Sequence, residues 1–458
     1  MKKDKILLIA LASQGRSGFI AGHQLQKIRR RPIIGLLYIS SAAESIGVET
    51  EILDQYINPF TLDDIRQQVE KNKYLLVGFY SPVVKNNSEA SLETIYASYL
   101  KKHFPELTIV AGGPGTYFHG HFLDRGFDIV CKSEGDETLK DIIRYTQGKL
   151  KLSQVKGIAY REKDKVFTNP DREPIADLST IPYPDWPKVD LKLYKDHFIP
   201  TLRHPSAPVT ASRGCPLRCA FCYSPNFWRY SHRVRPIPEL LGEIDLLVNK
   251  YKVKYILFQD PIFGWDTKWL AEFCEALTLR KYRKLKWMCH LHPLIFRKGE
   301  YDLIRKMKLA GCNLIHLGLQ SADDQILKNI NRSPSEPAIL KEIIAVARAN
   351  KIMTAVDFII GLPGENRRTV RKNIEYALDS KADMVHFNPL YLEVGTELFE
   401  NKDKMQTAFS EDEIVKICAR ANREFYLNFK TICRLSIGII QNNPRFLLHA
   451  LLRARMVL

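Results

Sequence analysis

Apolar runs of strand length alternate with amphipathic, helical stretches over most of this chain, and that alternation limits the possible folds more than any other feature. It occupies one block over residues 1–150 and a second over residues 201–400. Near-continuous apolar strands separated by helices predict parallel sheets with helices covering their faces. A length of 458 residues is too great for one ordinary core. We therefore expect an α/β protein with two sheets.

The first block is predicted to form a Rossmann-like, doubly wound parallel sheet. Its predicted strands are Lys5–Leu11, Val48–Asp54, Tyr74–Ser81, Leu107–Gly113 and Asp128–Glu134. Ligands bind such sheets in the crevice at the carboxyl ends of the strands. The candidate binding residues at these ends are Ser81, Gly112, Gly113, Glu134 and Gly135. Adjacent glycines let a ligand approach the backbone closely, although turn glycines are common in any α/β protein.

The second block is predicted to form a partial (βα)6 barrel of the TIM type. Its predicted strands are Pro208–Ser212, Tyr255–Asp260, Leu285–Leu291, Asn313–Leu319, Ile352–Ile360 and Asp383–Asn388. Active sites of barrels lie at the carboxyl ends of the strands. Between the blocks, the proline-rich residues 151–200 predict an extended linker. Residues 401–458 predict a helical C-terminal region.

The chain is basic, with 68 Lys and Arg against 51 Asp and Glu, a net charge of +17. Such a surface favours anionic partners such as nucleic acid, acidic lipid or phosphate-bearing ligands, but a basic solvated surface without a partner is equally consistent with it. The tail carries Arg445, Arg453 and Arg455 among apolar residues. This pattern is compatible with peripheral contact with a membrane, or with a helix packed on either domain.

The compartment is predicted from the start of the chain and from cysteine usage. The basic and apolar start resembles a short signal peptide, but Asp4 interrupts it and the α/β pattern continues, so a buried first strand is the preferred interpretation. Nine cysteines, scattered apart from one cluster, do not form a disulfide framework and favour a reducing cytoplasm. No stretch reaches the roughly 18 apolar residues of a membrane span.

The cluster of Cys215, Cys219 and Cys222 directly follows the first predicted barrel strand, with the spacing C-x3-C-x2-C. Thiolates are soft ligands that suit iron–sulfur clusters or zinc. Structural zinc takes four closed ligands, and His232 is one possible fourth ligand. Zinc ligands usually come as two paired knuckles, and no second pair is present. Three ligands instead leave a metal position open, which is typical of a catalytic centre.

The segment "SRGCPLRCAFCYSP", with an aromatic residue before the third cysteine, resembles the signature of the radical S-adenosylmethionine (SAM) enzymes. The resemblance implies a 4Fe–4S cluster held by the three cysteines, with SAM on the open iron. It further implies an external one-electron reductant such as flavodoxin or ferredoxin. One electron then cleaves SAM to a 5′-deoxyadenosyl radical, which abstracts a hydrogen atom from the substrate.

Three barrel segments extend this resemblance: "ILFQDPIFGWD", "IHLGLQSADDQILKNINR" and "DFIIGLPGEN" are similar to the second, fourth and fifth strand segments of the family. The resemblance implies that five residues contact SAM, with ordinary barrel packing as the alternative for each. They are Tyr223, Asp260, Gln320, Ser321 and Gly361.

The first block resembles the subgroup with an N-terminal cobalamin-binding domain, on segments such as "VAGGPGTYF" and "DIVCKSEGDETL". The resemblance implies that residues 1–150 bind cobalamin. Many cobalamin proteins carry Asp-x-His-x-x-Gly after the first strand, and its histidine binds cobalt. Here the loop reads "LASQGRSGFIAGHQ", and His23 lies outside that spacing. We therefore predict that no histidine from this motif binds the cobalt.

The implied activity is a cobalamin-dependent radical methyltransferase, which acts on an unactivated carbon or a phosphinate by way of methylcobalamin. Ring contraction or oxidative cyclisation with the same cofactors, and a first domain that has lost cobalamin, are alternatives. A basic nucleic-acid-binding protein with a structural cluster is disfavoured. The tRNA methylthiotransferases carry three more N-terminal cysteines, and only Cys131 precedes position 200 here. The substrate, a small molecule or a lipid, is not specified, and no catalytic side chain is assigned.

Overall fold

The computed structural model describes residues 4–12, 31–82, 91–117, 119–196, 199–282, 284–402, 407–444 and 446. His23 with its loop, and the end of the basic tail from residue 447, lie outside the described residues. No helix of the described part of the chain is long and apolar enough to cross a membrane.

The first sheet has seven strands in the order β2-β1-β3-β4-β5-β6-β7. They are Lys5–Ala10 (β1), Glu49–Asp54 (β2), Leu76–Tyr80 (β3), Thr108–Gly112 (β4), Ile129–Cys131 (β5), Ile158–Glu162 (β6) and Lys165–Thr168 (β7). The first five are parallel, whereas β6 and β7 extend the sheet in antiparallel pairing, with β7 at the edge. The order reverses at β1 and β3, which makes this point the expected ligand crevice.

Both faces of the first sheet are covered, as the apolar strands predict. The helices are Ile34–Glu44 (α1), Leu62–Asn72 (α2), Leu92–His103 (α3), His119–Leu123 (α4) and Asp136–Thr146 (α5). In β1, Leu7 and Ile9 pack in one core with residues of α2 and α3, whereas Ile6 and Leu8 pack with α1 and α5 in another. The predicted doubly wound architecture is confirmed, with an antiparallel edge that makes the sheet mixed.

The strands after residue 200 form a parallel sheet of six strands and a separate hairpin. They are Ser206–Val209 (β8), Ser212–Gly214 (β9), His232–Val234 (β10), Tyr255–Phe258 (β11), Lys286–Leu291 (β12), Cys312–Gln320 (β13), Met353–Ile360 (β14) and Met384–Pro389 (β15). The large sheet has the order β15-β14-β13-β12-β11-β8, and β9 pairs with β10. The predicted partial barrel of six parallel strands is therefore confirmed.

Helices follow the strands and continue into the C-terminal region. They are Ser224–Trp228 (α6), Ile237–Asn249 (α7), Thr267–Leu279 (α8), Asp302–Leu309 (α9), Asp324–Asn329 (α10), Glu336–Ala349 (α11), Arg367–Ser380 (α12), Glu397–Glu400 (α13), Glu411–Tyr426 (α14) and Phe429–Asn442 (α15). Alternate strand residues such as Ile315 and Val356 pack in the large core with these helices. Residues of the opposite face, including Leu314 and Ala355, form a smaller core with Ile439 of α15.

The stretch expected to be a linker, residues 151–200, does more than connect the sheets. It supplies β6 and β7, and its irregular remainder contacts both domains. Trp186 is fully buried, and its indole N–H donates to Glu243 at 3.2 Å. The Lys188 ammonium donates to the Thr50 carbonyl at 2.8 Å. These contacts fix the first sheet against the barrel and so position the groups that lie between them.

Candidate functional site

The cysteine loop connects β9 to β10, and these two short strands pair antiparallel at its base. Gly214 pairs with His232 in that hairpin and has a φ of +93°. A Cβ at this position would lie 2.0 Å from the Ser231 carbonyl oxygen. Only glycine fits such a close approach with a positive φ. The hairpin therefore sets the path on which Cys215 follows directly.

The three cysteine sulfurs are close enough to influence each other's ionisation. Burial, together with the neighbouring Cys219, raises the pKa of Cys215 to about 11. Burial, followed by the charges of the other two cysteines, raises the pKa of Cys222 to about 12. The thiolates that bind metal therefore require a cationic centre to neutralise them. This set of soft ligands fits an iron–sulfur cluster.

The spacing of the sulfurs does not favour a single zinc ion. Among the described residues, no set of three ligand atoms within 4.8 Å of one another includes these cysteines. Ligands of one zinc ion lie closer together, because each Zn–S bond measures only about 2.3 Å.

Arg332 lies against the cluster loop, and the sequence interpretation did not identify it. Its guanidinium is 4.0 Å from the Cys219 sulfur and donates to both carboxylate oxygens of Glu336, at 3.1 and 2.9 Å. Arg332 is buried, and Glu336 is fully buried. The positive charge next to Cys219 favours its thiolate. In the sequence, Arg332 is marked only by its place eleven positions after Ser321, the last residue of the "GLQS" segment.

Asp260 connects the second barrel strand to the cysteine loop. Its Oδ1 accepts hydrogen bonds from the Ala211 amide at 2.9 Å and from the Ser212 hydroxyl at 2.7 Å. Its Oδ2 is buried and has no hydrogen-bond partner among the described residues. Burial raises the pKa of Asp260 to about 7. The carboxyl group thus orients the loop through one oxygen, and its other oxygen is a buried acceptor without a donor among the described residues.

The other predicted SAM contacts lie at the ends of β13 and β14. Gln320 has a φ of +73°. The Ser321 hydroxyl donates to the Asn373 side-chain oxygen at 3.2 Å and is fully buried. Gly361 has a φ of +100°, and a Cβ there would lie 2.6 Å from a methyl carbon of Ile414. The hydroxyl of Ser321 therefore has a structural partner, and Gly361 presents backbone only.

A cavity of about 660 Å³ lies between the first sheet and the barrel, a size usual for ligand sites. Its lining combines predicted residues from both domains. They include Gly112, Gly113, Glu134, Gly135 and Tyr223. Ser81 is buried and lies outside this lining; its carbonyl accepts from the Gly115 amide at 3.2 Å. Ser81 therefore holds the loop after β4 in place through its backbone and does not face the cavity.

The cavity wall fits a cofactor bound on the first sheet. A Cβ added to Gly112 would meet no atom within 4 Å, so the bare backbone there leaves room that a side chain would fill. Gly113 has a φ of +110°, and its added Cβ would lie 2.6 Å from the Ser81 carbonyl oxygen. None of the described residues that line the cavity is a histidine. This lining is compatible with cobalamin that has no histidine ligand from the cavity.

Comparison with known families accounts for both halves of this site. Residues 209–377 match the radical SAM superfamily, and residues 32–143 match the B12 binding domain. The chain is a radical SAM enzyme with an N-terminal B12-binding domain. A 4Fe–4S cluster, SAM and cobalamin are the cofactors typical of this family.

Relatives of this radical SAM enzyme include two kinds of activity. An uncharacterized methyltransferase of Pyrococcus horikoshii is 25% identical over 95% of each chain. The anaerobic magnesium-protoporphyrin IX monomethyl ester cyclase of Rubrivivax gelatinosus is 28% identical over 76% of this chain and 64% of its own. The solved structure of TsrM, a radical SAM methyltransferase of Kitasatospora setae, has a TM-score of 0.69 and 15% identity over 93% of this chain and 84% of that one. The similarity to the TsrM structure shows that the two proteins share a fold.

In this radical SAM enzyme, a buried ion-pair network joins the two domains next to the cysteine loop. Arg213 donates from Nη1 to Asp136 at 2.8 Å and to Glu134 at 3.0 Å, and from Nη2 to Asp136 at 3.1 Å. Arg233 donates to the other oxygen of Glu134 at 2.9 Å. Arg213 is two positions before Cys215, so the network connects the B12-binding domain to the cluster loop. The predicted cobalamin-loop residue Glu134 has its carboxylate engaged in this contact.

Replacing Asp136 with alanine is expected to destabilise the enzyme by about 1–3 kcal/mol, because the buried Arg213 guanidinium loses one of its two carboxylate partners and keeps only Glu134. Burial opposes ionisation, but Arg213 lowers the pKa of Asp136 below its ordinary value of 3.8. The stabilisation is therefore present above about pH 4 and is lost as the pH falls further. Urea unfolding at pH 7 measures the effect.

Asp302→Ala is the matched control, because Asp302 also pairs with an arginine, Arg305, at 2.8 Å, but both side chains are more than half exposed. This variant should change stability little. Equal effects of the two substitutions at pH 7 would contradict the role given to the buried pair.

Proposed function

We propose that this enzyme is a methyltransferase that uses SAM, cobalamin and the iron–sulfur cluster to methylate an unactivated carbon or a phosphinate. The observation that carries the proposal is the cavity between the two domains. Gly112 and Gly135 from the B12-binding domain and Tyr223 from the cluster loop line the same space. Methyl transfer needs such an arrangement, because the methyl donor and the activated substrate must meet away from water.

The residues have separate tasks in this proposal. Cys215, Cys219 and Cys222 hold the cluster, and the Arg332 guanidinium supports the thiolate of Cys219. Asp260 fixes the cysteine loop through Ser212 and offers its second oxygen to the amino group of SAM. The bound cofactors supply radical formation and methyl transfer, whereas the protein supplies orientation and exclusion of water. An external one-electron reductant, such as flavodoxin or ferredoxin, is required.

The similarity to the Pyrococcus horikoshii methyltransferase, which extends over 95% of both chains, supports methyl transfer. The cavity wall includes apolar side chains such as Leu8, Ile33 and Phe227, which suits a small molecule or lipid with apolar surface. We do not assign nucleic acid as a substrate.

The proposal is tested with protein reconstituted with iron, sulfide and hydroxocobalamin, then incubated with SAM and a chemical reductant. Both S-adenosylhomocysteine and 5′-deoxyadenosine are expected, because methyl donation and radical formation consume separate SAM molecules. The two products are quantified by mass spectrometry. Formation of 5′-deoxyadenosine without S-adenosylhomocysteine, in protein that contains cobalamin, would overturn methyl transfer.

Oxidative cyclisation is the second candidate, favoured by the 28% identity to the Rubrivivax gelatinosus cyclase. It uses the same cofactors without net methylation. The outcome just described, radical cleavage alone, is the one that this candidate predicts, so a single product analysis separates the two functions.

A further inference from the structure

Four titratable side chains lie side by side on the inner face of the barrel, and the proposed reaction gives none of them a role, although His316 and Asp357 fall within family-like segments. His290, His316, Asp357 and His386 come from β12, β13, β14 and β15, which are consecutive in the sheet. His290 pairs with His316, and Asp357 pairs with His386, in the register of these strands. The neighbouring residues Ile315, Val356 and Val385 belong to the helix-covered core, so the four polar groups face the barrel interior.

His316 and His386 each place a ring nitrogen next to a carboxylate oxygen of Asp357. His316 Nε2 lies 2.8 Å from Asp357 Oδ2, and His386 Nδ1 lies 2.9 Å from Asp357 Oδ1. One ligand atom from each residue can be chosen so that all three lie within 4.8 Å of one another. The side chains are 17%, 29% and 27% exposed for His316, Asp357 and His386, so the group lies at the edge of the barrel interior rather than within a closed core.

The contact between His316 and Asp357 differs from an ordinary hydrogen bond. Nε2 of His316 is buried and makes no hydrogen bond to any described residue, although Asp357 Oδ2 is only 2.8 Å away. The short distance therefore lacks the alignment of a hydrogen bond. The pair is therefore an ion pair without an aligned hydrogen bond, and a metal ion bound by both atoms would satisfy the nitrogen and the oxygen together.

The local charges are compatible with a bound cation. Burial opposes ionisation of Asp357, but the two histidines lower its pKa well below the ordinary value, so it is a carboxylate at neutral pH. His290 stacks on His316 with ring centroids 4.8 Å apart, and burial lowers the pKa of His290 to about 3, so that ring is neutral. The nearby guanidinium of Arg31 is paired with Asp196 at 2.9 Å.

We propose that His316, Asp357 and His386 bind a divalent transition-metal ion, with zinc as the first candidate, at a mononuclear site separate from the cysteine cluster. Two imidazoles and one carboxylate are a common ligand set for zinc and for non-haem iron. Three protein ligands leave a coordination position open, and here it faces the barrel interior. A water molecule or a heteroatom of the substrate occupies it. This site does not depend on whether the enzyme transfers methyl groups.

The test uses full-length, tag-free protein in which Cys215, Cys219 and Cys222 are all replaced by alanine, so that thiolates cannot bind the probe. Calorimetric titration with Zn²⁺ is expected to show one site per chain, and Co²⁺ should give the visible absorption of nitrogen and oxygen ligands. Adding Asp357→Asn should weaken Zn²⁺ binding by roughly 100-fold or more, because losing even an outer partner of a ligand costs 10–100-fold. This substitution preserves the volume of the side chain but removes its charge and one of its two oxygen ligands.

His103→Ala in the same cysteine-free background is the matched control, since His103 is exposed on α3; Zn²⁺ binding should not change. His386→Gln provides a second ligand variant if Asp357→Asn does not fold, and circular dichroism without metal checks the fold of each protein. Failure to take up Zn²⁺ in the background protein, or equal uptake by both ligand variants and the control, would overturn the site. Either result would mean that His316, Asp357 and His386 form a polar network that binds no metal.

Discussion

Replacement of Cys219 by alanine is expected to abolish cluster assembly and to reduce 5′-deoxyadenosine formation by more than about 100-fold. The three thiols are the only cluster ligands that the chain offers in this loop, and loss of an outer partner alone costs a metal site 10–100-fold. In this variant Arg332 would also lose the sulfur that lies 4.0 Å from its guanidinium. Iron and sulfide content, the visible spectrum and product analysis with SAM measure the loss.

Cys433→Ala is the matched control, because Cys433 is exposed on α15. The same chemical change at that position should leave the iron content and the yield of 5′-deoxyadenosine unchanged. Assembly of a normal cluster by the Cys219 variant would show that a different ligand replaces the sulfur, and would refute the assignment of the three cysteines.

Replacement of Gly112 by phenylalanine is expected to reduce cobalamin affinity by roughly tenfold or more, which corresponds to about 1.4 kcal/mol. A Cβ at Gly112 meets nothing within 4 Å, so the backbone tolerates the substitution while the ring occupies the cavity. The cluster is held by the barrel, so iron content and SAM cleavage should be retained. Titration of the reconstituted protein with hydroxocobalamin gives the affinity.

Gly120→Phe is the control for this experiment. Gly120 also has open space around its Cβ position, but it lies on α4, away from the cavity lining. Normal cobalamin binding by the Gly112 variant would place the cofactor elsewhere on the domain. Loss of the cluster as well would mean that the substitution disturbs the whole interface between the domains.

Much of the fold could be predicted from the sequence, because apolar strand runs and helical periodicity are local patterns. The five parallel strands of the first sheet and five of the six barrel strands lie where those runs predict them, whereas the first barrel strand, predicted at Pro208–Ser212, is Ser206–Val209. The run Asp128–Glu134 is shortened to Ile129–Cys131, because Gly135 already caps α5. Strands β6 and β7 were not predicted, because both are short and lie in a proline-rich stretch interpreted as a linker, and β7 is exposed along its whole length.

The cysteine loop could also be predicted, because its three ligands lie within eight positions of one another. The contacts around it could not. Arg213 and Asp136 are 77 positions apart, and Arg332 and Cys219 are 113 apart. The His316, Asp357 and His386 group forms only when three strands adopt their register. No local pattern determines which distant side chains meet, since that depends on the packing of complete sheets.

The buried contact between Arg213 and Asp136 restricts how this chain can be recombined with others. A chimera that joins this barrel to a B12-binding domain of different origin would set Arg213 against whatever residues the new domain presents. Without acids at the positions of Glu134 and Asp136, the guanidinium would be left without a counter-charge, at a cost of about 3–5 kcal/mol. A B12-binding domain exchanged onto this barrel should therefore carry acids at both of these positions to stay paired with Arg213.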